Sequence, residues 1–331
     1  MLTLGVESSC DETSVAVVRD GREILSNMIS SQIEIHRLFG GVVPEIASRK
    51  HVSAILPMLD LALEEAGITM DDVDLICATR GPGLIGALLV GLTAARGLAL
   101  ANHKPFVGVN HIRGHICANY LTHKELEPPF VGLIVSGGHS YLIHVTDYVD
   151  FTLYGKTRDD AAGEAFDKVA RAMGIGYPGG PVIDKLAKEG EETYDLPRVM
   201  LEPDSYDFSF SGLKTAVLNE LNQAKQKGEA IRVEDMAASF QAAVIDVLVE
   251  KSFRLAKELG EKTIVLAGGV SANSALRAAM ESRGEREGVA IYYPDPVLCT
   301  DNAAMIASVG YYSHLKGEEG EVYADPNLGL E

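Results

Sequence analysis

The sequence contains no tryptophan and only four cysteines among 331 residues. Cys10, Cys77, Cys117 and Cys299 lie far apart, and none forms a C-x-x-C pair. That spacing argues against a disulfide framework or a zinc finger, and reduced thiols fit the cytosol. Aromatic residues make up 6 % of the chain against 47 % hydrophobic, so Ala, Gly, Val and Leu must fill the core. This is the texture of an α/β protein with close helix–sheet packing. Basic residues are scarce: 29 Lys and Arg stand against 47 Asp and Glu, a formal net charge of −18. Nucleic acid repels such a chain at long range, so an RNA partner needs local basic contacts or a second subunit. No signal peptide is expected. The apolar stretch from Leu84 to Ala101 is broken by Arg96 and by glycines at 86, 91 and 97. It reads as a buried helix or a helix–helix interface rather than a membrane span.

What is present is a duplication. The opening TLGVE, SSCDET, SVAVV gives two β-rich runs joined by a small acidic turn, and FVGLIV, SGGH, SYLIHV repeats the plan near the middle. After the first hairpin come a long helix signal, the strand DLICAT, a Gly-Pro turn, an apolar helix and the strand PFVGV. After the second come FTLYGKT, the helix AAGEAFDKVARAMG, the strand KTIVLA, the turn GGVSAN, a helix and VAIYY. Domains run roughly 100–200 residues, which also favours two. The expected fold is α/β and actin-like: two duplicated RNase H-like lobes with a cleft between them, nucleotide phosphates lying between the two hairpin turns. The first lobe is placed at 1–127 and completed by a C-terminal helix within 297–331. The second is placed at 128–296, with a helical insertion at about 177–240.

HIRGH at 111–115 is the strongest local signal. His111 and His115 are i and i+4, which sets both imidazoles on one helical face, suited to zinc or another transition metal. The alternative is two unrelated histidines, one capping and one exposed. A metalloprotease needs Glu directly after the first His; here Ile112 stands there, so that route lacks its base. The best third ligand is Asp301 in LCTDNAAM, which reads equally well as a helix N-cap. Ser136, Gly137 and Gly138 let backbone N–H groups approach an anion, or else form an ordinary hairpin loop. Asp11 and Glu12 occupy the matching first turn, where they could hold a metal-bound water or orient a nucleophile. Asn273, in AGGVSAN, either contacts a ligand or caps a helix. Asp167 and Asp184, the latter just after the Gly179–Gly180 turn, suit ribose hydroxyls or are surface charges. Arg49, Lys50, His51, Lys156, Arg158, Lys168, Arg171 and Lys214 are candidates for RNA phosphates, though solvated faces explain most such charges.

Taken together, GVESSCDETSVAVV, FGGVVPEIASRKHV, RGPGLIGALLVG, NHIRGH, LIVSGGHSYL, GEAFDKVAR, YPGGPVID, FSFSGLKTA, AGGVSANSALR and CTDNAAMIA span almost the whole chain. In these motifs the sequence closely resembles the bacterial TsaD family of tRNA adenosine threonylcarbamoyltransferases, formerly described as O-sialoglycoprotein endopeptidases. The resemblance implies one Fe(2+) or Zn(2+) ion held by His111, His115 and Asp301. It implies an adenine nucleotide (threonylcarbamoyl-AMP, ATP or ADP) against Ile134, Val135, Ser136, Gly137, Gly138, Asp167, Gly180, Asp184 and Asn273. Asp11 and Ser136 are the candidate catalytic groups. The activity implied is transfer of threonylcarbamoyl from threonylcarbamoyl-AMP to N6 of the adenosine 3′ of the anticodon, in tRNAs reading codons that start with A. Implied partners are tRNA, TsaB and TsaE, with a TsaC-type enzyme supplying the donor. The setting is cytoplasmic, no membrane is involved, and a homodimer stays open when partners are absent. An actin-like ATPase, a metallopeptidase and a non-catalytic scaffold are the competing readings.

Overall fold

The computed structural model describes residues 1–201, 205–318 and 322–330. The chain divides into two compact units, Met1–Pro128 with Asp147–Asp150 and Pro294–Glu331, and Pro129–Thr146 with Phe151–Tyr293.

The first unit contains β1 (Leu2–Glu7), β2 (Glu12–Arg19), β3 (Glu23–Ser31), α1 (Ile33–Arg37), α2 (Pro44–Ala66), β4 (Leu75–Gly81), α3 (Ile85–Ala101), β5 (Phe106–Asn110) and α4 (His111–Thr122). The second contains β6 (Phe130–Val135), β7 (Ser140–Val145), β8 (Phe151–Lys156), α5 (Ala162–Met173), α6 (Gly179–Ala187), α7 (Ser211–Lys227), α8 (Val233–Leu259), β9 (Thr263–Ala267), α9 (Ser274–Glu287) and β10 (Ala290–Tyr292). The chain then returns to the first unit with α10 (Pro296–Cys299) and α11 (Ala303–Leu315).

Each unit has one five-stranded sheet, ordered β3-β2-β1-β4-β5 and β10-β9-β6-β7-β8. Counting strands within each unit, the two orders are the same, and the duplication expected from the hairpin motifs is present. In both, two antiparallel pairs supply one half of the sheet and parallel partners the other. The first strand of each sheet is buried on both faces, which explains why LTLGVE and FVGLIV read as near-continuous apolar runs.

In the first unit α2 and α3 pack together on the sheet, and α11 and α4 pack together with α11 on the sheet strands β1, β2, β4 and β5. Helix α11 lies very close. A Cβ added at Gly5 would stand 2.4 Å from the Ala303 carbonyl oxygen and 2.7 Å from the Ala307 nitrogen. Glycine on the strand and alanine on the helix therefore set the helix–sheet spacing. The Ala303 N–H donates to Ser14 Oγ at 2.9 Å, pinning the start of this helix to β2. In the second unit α8 is buried along most of its length and packs against α6, α7, α9, β6 and β9. Helices α6 and α7 and the start of α8 occupy the segment read as insertion.

Helix α3 buries Ala87, Leu88, Gly91, Leu92, Ala95 and Ala99. Its other face leaves Ile85, Leu89 and Leu100 exposed, and α2, which packs against it, exposes Val52 and Leu56. Among the described residues no helix is long and apolar enough to cross a membrane.

Candidate active site

Three chain segments end at one place in the first unit. Strand β1 finishes at Glu7, β5 runs directly into α4 at His111, and a short turn delivers Asp301 ahead of α11. Asn110 caps α4 by accepting the N–H groups of Ile112 and Arg113 at 2.8 and 3.4 Å. That cap sets His111 as the first helical residue and His115 one turn on. Asn302, fully buried, caps α11 by accepting the Met305 N–H at 3.0 Å. Asp301 is thereby released from the capping role that its position also suggested.

His111 Nε2 and His115 Nε2 each stand 3.4 Å from Asp301 Oδ1. One donor atom from each of the three residues lies within 4.8 Å of the others. The His115 side chain is 1 % exposed and the Asp301 side chain 23 % exposed, so the cluster is enclosed on the histidine side and open beside the carboxylate. His115 Nδ1 is buried without a hydrogen-bond partner among the described residues, and its Nε2 is the nitrogen turned to the cluster. Two imidazoles and one carboxylate, with one open side, are the donor set of catalytic zinc or iron rather than of a closed structural site.

The electrostatics agree with that donor set. Burial opposes a charged His111 ring, but Asp301 and Glu7 outweigh it and hold its pKa well above the usual imidazole value. Burial pushes the Asp301 carboxyl up, and the charge and hydrogen bonds of His111 and His115 reverse this and hold it far below the carboxylate range. Glu7, fully buried, is likewise held down by His111 against the cost of burial. Burial lowers His115. Glu7 and Asp301 thus set two carboxylates against the same imidazole, a charge arrangement that suits a divalent cation.

The Ser8–Glu12 turn adjoins the cluster. Asp11 is buried at 8 % exposure, and Glu12 is pushed up to about 9 by burial and by the negative charges of Asp301 and Asp11. His51 is fully buried, contrary to its expected place among cations for RNA phosphates. Its Nδ1 meets Thr13 Oγ1 at 2.8 Å and its Nε2 meets the Cys10 carbonyl at 2.9 Å, which pins the turn that carries Asp11. A carbonyl only accepts, so Nε2 carries the proton.

The remaining predicted residues belong to the second unit. Ile134 and Val135 are fully buried side chains of β6, so of the 134–138 segment only Ser136 to Gly138 are open to a ligand. Ser136 N–H donates to the His139 carbonyl at 2.8 Å and closes the turn. A Cβ at Gly137 or Gly138 would meet nothing within 4 Å. Two glycines bring neighbouring loops onto this turn. A Cβ at Gly163 on α5 would stand 2.6 Å from the Ser136 carbonyl oxygen, and one at Gly268 would stand 2.5 Å from that of Val135.

Asp167 Oδ1 accepts the Gly179 N–H at 2.7 Å, fixing the turn that contains Gly180, and burial pushes its carboxyl up. Asp184 accepts Ser274 Oγ on both oxygens at 2.9 Å. Asn273 caps α9 through the Leu276 N–H and donates to Gln241 Oε1 at 2.7 Å. These three polar residues thus organise the loops around the open Ser136 turn. Of the basic residues read as RNA contacts, Lys168 and Lys214 both bind Asp160, and Arg158 binds Asp207.

Sequence reasoning did not single out Glu7. Its only signal was an ionisable residue closing an apolar strand.

Full-length HypF in its phosphate- and nucleotide-bound form aligns with a TM-score of 0.65 at 15 % identity, over 98 % of this chain and 47 % of HypF. Component A of the (R)-2-hydroxyglutaryl-CoA dehydratase of Acidaminococcus fermentans aligns at 0.57 and 18 % identity, over 95 % of this chain and 99 % of that one. At such identities the likeness is one of fold. Sequence relatives are much nearer. A protein of Clostridium perfringens named tRNA N6-adenosine threonylcarbamoyltransferase is 57 % identical over 99 % of this chain and 98 % of its own. One of the same name from Clostridioides difficile is 55 % identical over 100 % and 98 %. The TsaD family model, described as tRNA N6-adenosine threonylcarbamoyltransferase, matches residues 23–308, and the chain belongs to the TsaD family.

Proposed function

We propose that this protein transfers the threonylcarbamoyl group of threonylcarbamoyl-AMP to N6 of the adenosine immediately 3′ of the anticodon, giving t6A in tRNA. The observation that carries this reading is identity of 55–57 % over nearly the full length to proteins named for that activity. The His111, His115 and Asp301 set, with both histidines buried, supports it from the chemistry.

In this reading His111, His115 and Asp301 hold one iron or zinc ion, which would supply Lewis acidity toward an oxygen of the acyl-adenylate. The open Ser136–Gly138 turn receives the charged phosphate or carbonyl end of the donor. Asp167, Gly180, Asp184 and Asn273 shape the nucleotide pocket, chiefly by holding its loops. Asp11 manages the proton of the attacking amine. An aryl amine gains little from deprotonation in the ground state, so orientation dominates and is worth up to about 7–11 kcal/mol. Nothing favours the peptidase or ATPase readings: Ile112 occupies the place where a peptidase of this kind needs its Glu.

The test is nucleoside analysis of tRNA incubated with threonylcarbamoyl-AMP, with and without partner proteins. Formation of t6A is expected, and its absence with every partner present refutes the proposal. In the same assay Asp11→Ala is expected to slow transfer about 10²-fold with donor affinity kept. A loss of affinity instead makes Asp11 a binding residue.

The net charge of −18 leaves tRNA binding to be shared with other subunits in the cytoplasm. TsaB and TsaE are the partners proposed, with donor made by a TsaC-type enzyme. The exposed apolar face of α3 around Leu89 is the surface assigned to TsaB. Leu89→Asp is expected to abolish co-purification of TsaB without lowering thermal stability. Retention of TsaB would move the interface elsewhere.

A further inference from the structure

We infer that Glu7 is the positioning residue of the His111–His115–Asp301 centre: its carboxylate accepts the Nδ1–H of His111 and so fixes the tautomer that turns Nε2 toward the ion. This rests on the reading of those three residues as metal ligands.

Glu7 is fully buried at the end of β1, and no lysine or arginine is recorded against its carboxylate among the described residues. A buried carboxylate without a cation is costly unless its acceptor capacity is used. Each recorded contact uses it. Oε1 accepts the Ser9 N–H, while Oε2 accepts Thr79 Oγ1 at 2.6 Å and lies 2.9 Å from His111 Nδ1. The first two bonds clamp the carboxylate between β4 and the Ser8–Glu12 turn. The third is the only one directed at the cluster. An imidazole with Nδ1–H bound to a carboxylate has its lone pair on Nε2, the atom 3.4 Å from Asp301 Oδ1.

The two histidines differ in this respect. His115 Nδ1 has no hydrogen-bond partner among the described residues, so nothing of the kind sets its tautomer. Orientation and basicity are therefore imposed on one ligand, and that ligand is also held by the helix cap of Asn110. Carboxylates placed behind a metal-bound imidazole act in this way, and their loss costs about 10–100-fold in metal affinity.

The experiment compares the full-length protein with Glu7→Gln, Thr79→Val and His111→Ala, using zinc as the probe in competition with a chelator at fixed pH. Thr79→Val removes a buried hydrogen bond to the same carboxylate and leaves the His111 contact. It reports what a merely structural disturbance does. Expected are zinc affinity about 10–100-fold weaker in Glu7→Gln, a Thr79→Val affinity close to that of the parent, and no binding in His111→Ala. Nitrogen-15 spectra of the zinc-loaded parent should show His111 protonated at Nδ1. If Glu7→Gln does not fold, Glu7→Asp carries the same comparison, because it keeps the charge and withdraws the acceptor by one methylene. A loss in Glu7→Gln no larger than that in Thr79→Val, or His111 metallated through Nδ1, overturns the assignment. If the parent takes up no zinc, or if His111→Ala binds as the parent does, the metal reading itself fails and Glu7 loses its role with it.

Discussion

Glutamine at position 115 should strip the purified protein of stoichiometric zinc or iron and lower threonylcarbamoyl transfer to tRNA by roughly 10²–10³-fold. The size follows from the several kcal/mol that a Lewis acid contributes, at about 1.4 kcal/mol per tenfold in rate. His115 is the more informative of the two histidines to replace. Its Nδ1 bonds to nothing among the described residues, so its replacement breaks no hydrogen bond outside the cluster. His111→Ala should abolish metal binding and transfer as well, but with a structural cost. It leaves the fully buried Glu7 carboxylate, and the partly exposed Asp301, without the imidazole that both contact. Removing one partner of such a buried arrangement costs about 3–5 kcal/mol. Metal content by elemental analysis, tRNA nucleoside composition and thermal unfolding should be read together. A metal-free His115→Gln protein that modifies tRNA fully would remove the ion from the mechanism.

The second large effect is expected where the fold has no objection. Valine at Gly137 would point a Cβ into space with no neighbour within 4 Å, and the position is not in the left-handed region. Thermal stability should therefore stay near that of the parent, while affinity for threonylcarbamoyl-AMP falls at least about tenfold, because the branched side chain occupies the space the anion needs. Gly163→Ala is the contrasting case. Its Cβ would stand 2.6 Å from the Ser136 carbonyl oxygen, so the turn must move and both stability and binding should drop. Calorimetric titration with the donor and unfolding curves for the two variants separate these outcomes. Undiminished donor affinity in Gly137→Val would place the ligand away from this turn.

The fold was legible because its repeating unit is marked by punctuation as well as by hydrophobic pattern. SSCDET and SGGH are small polar turns between apolar runs, and the two sheets share one strand order. Helix α3 was ambiguous from sequence, since LIGALLVGLTAARGLALA shows no clear polar side. Its buried small residues fit the sheet, while Leu89 and Leu100 on the other side carry no sequence mark of being exposed. The histidine pair was legible through helical spacing. Its meeting with Asp301, distant in sequence, depends on α11 settling onto β1, which no local pattern encodes. The choice between Asp301 and Asn302 as helix cap was equally hidden, because either residue type serves. Glu7 was missed, and His51 was given the wrong role, for a common reason. Each lies within an otherwise ordinary strand or helix, and only the turn they support makes them matter.

The return of α11 to the first unit has a consequence for biosynthesis. When residue 128 has been made, β1, β4 and β5 can align, but the face that Gly5 offers to Ala303 and Ala307 is still bare. The second unit must be translated before Asp301 and α11 exist. At about 5–20 residues per second that interval is on the order of 10–30 s. During it the nascent chain carries both imidazoles without their carboxylate, and an apolar sheet surface without its cover. Completion of this unit therefore waits until the second has been translated, and α11 serves as its closing piece.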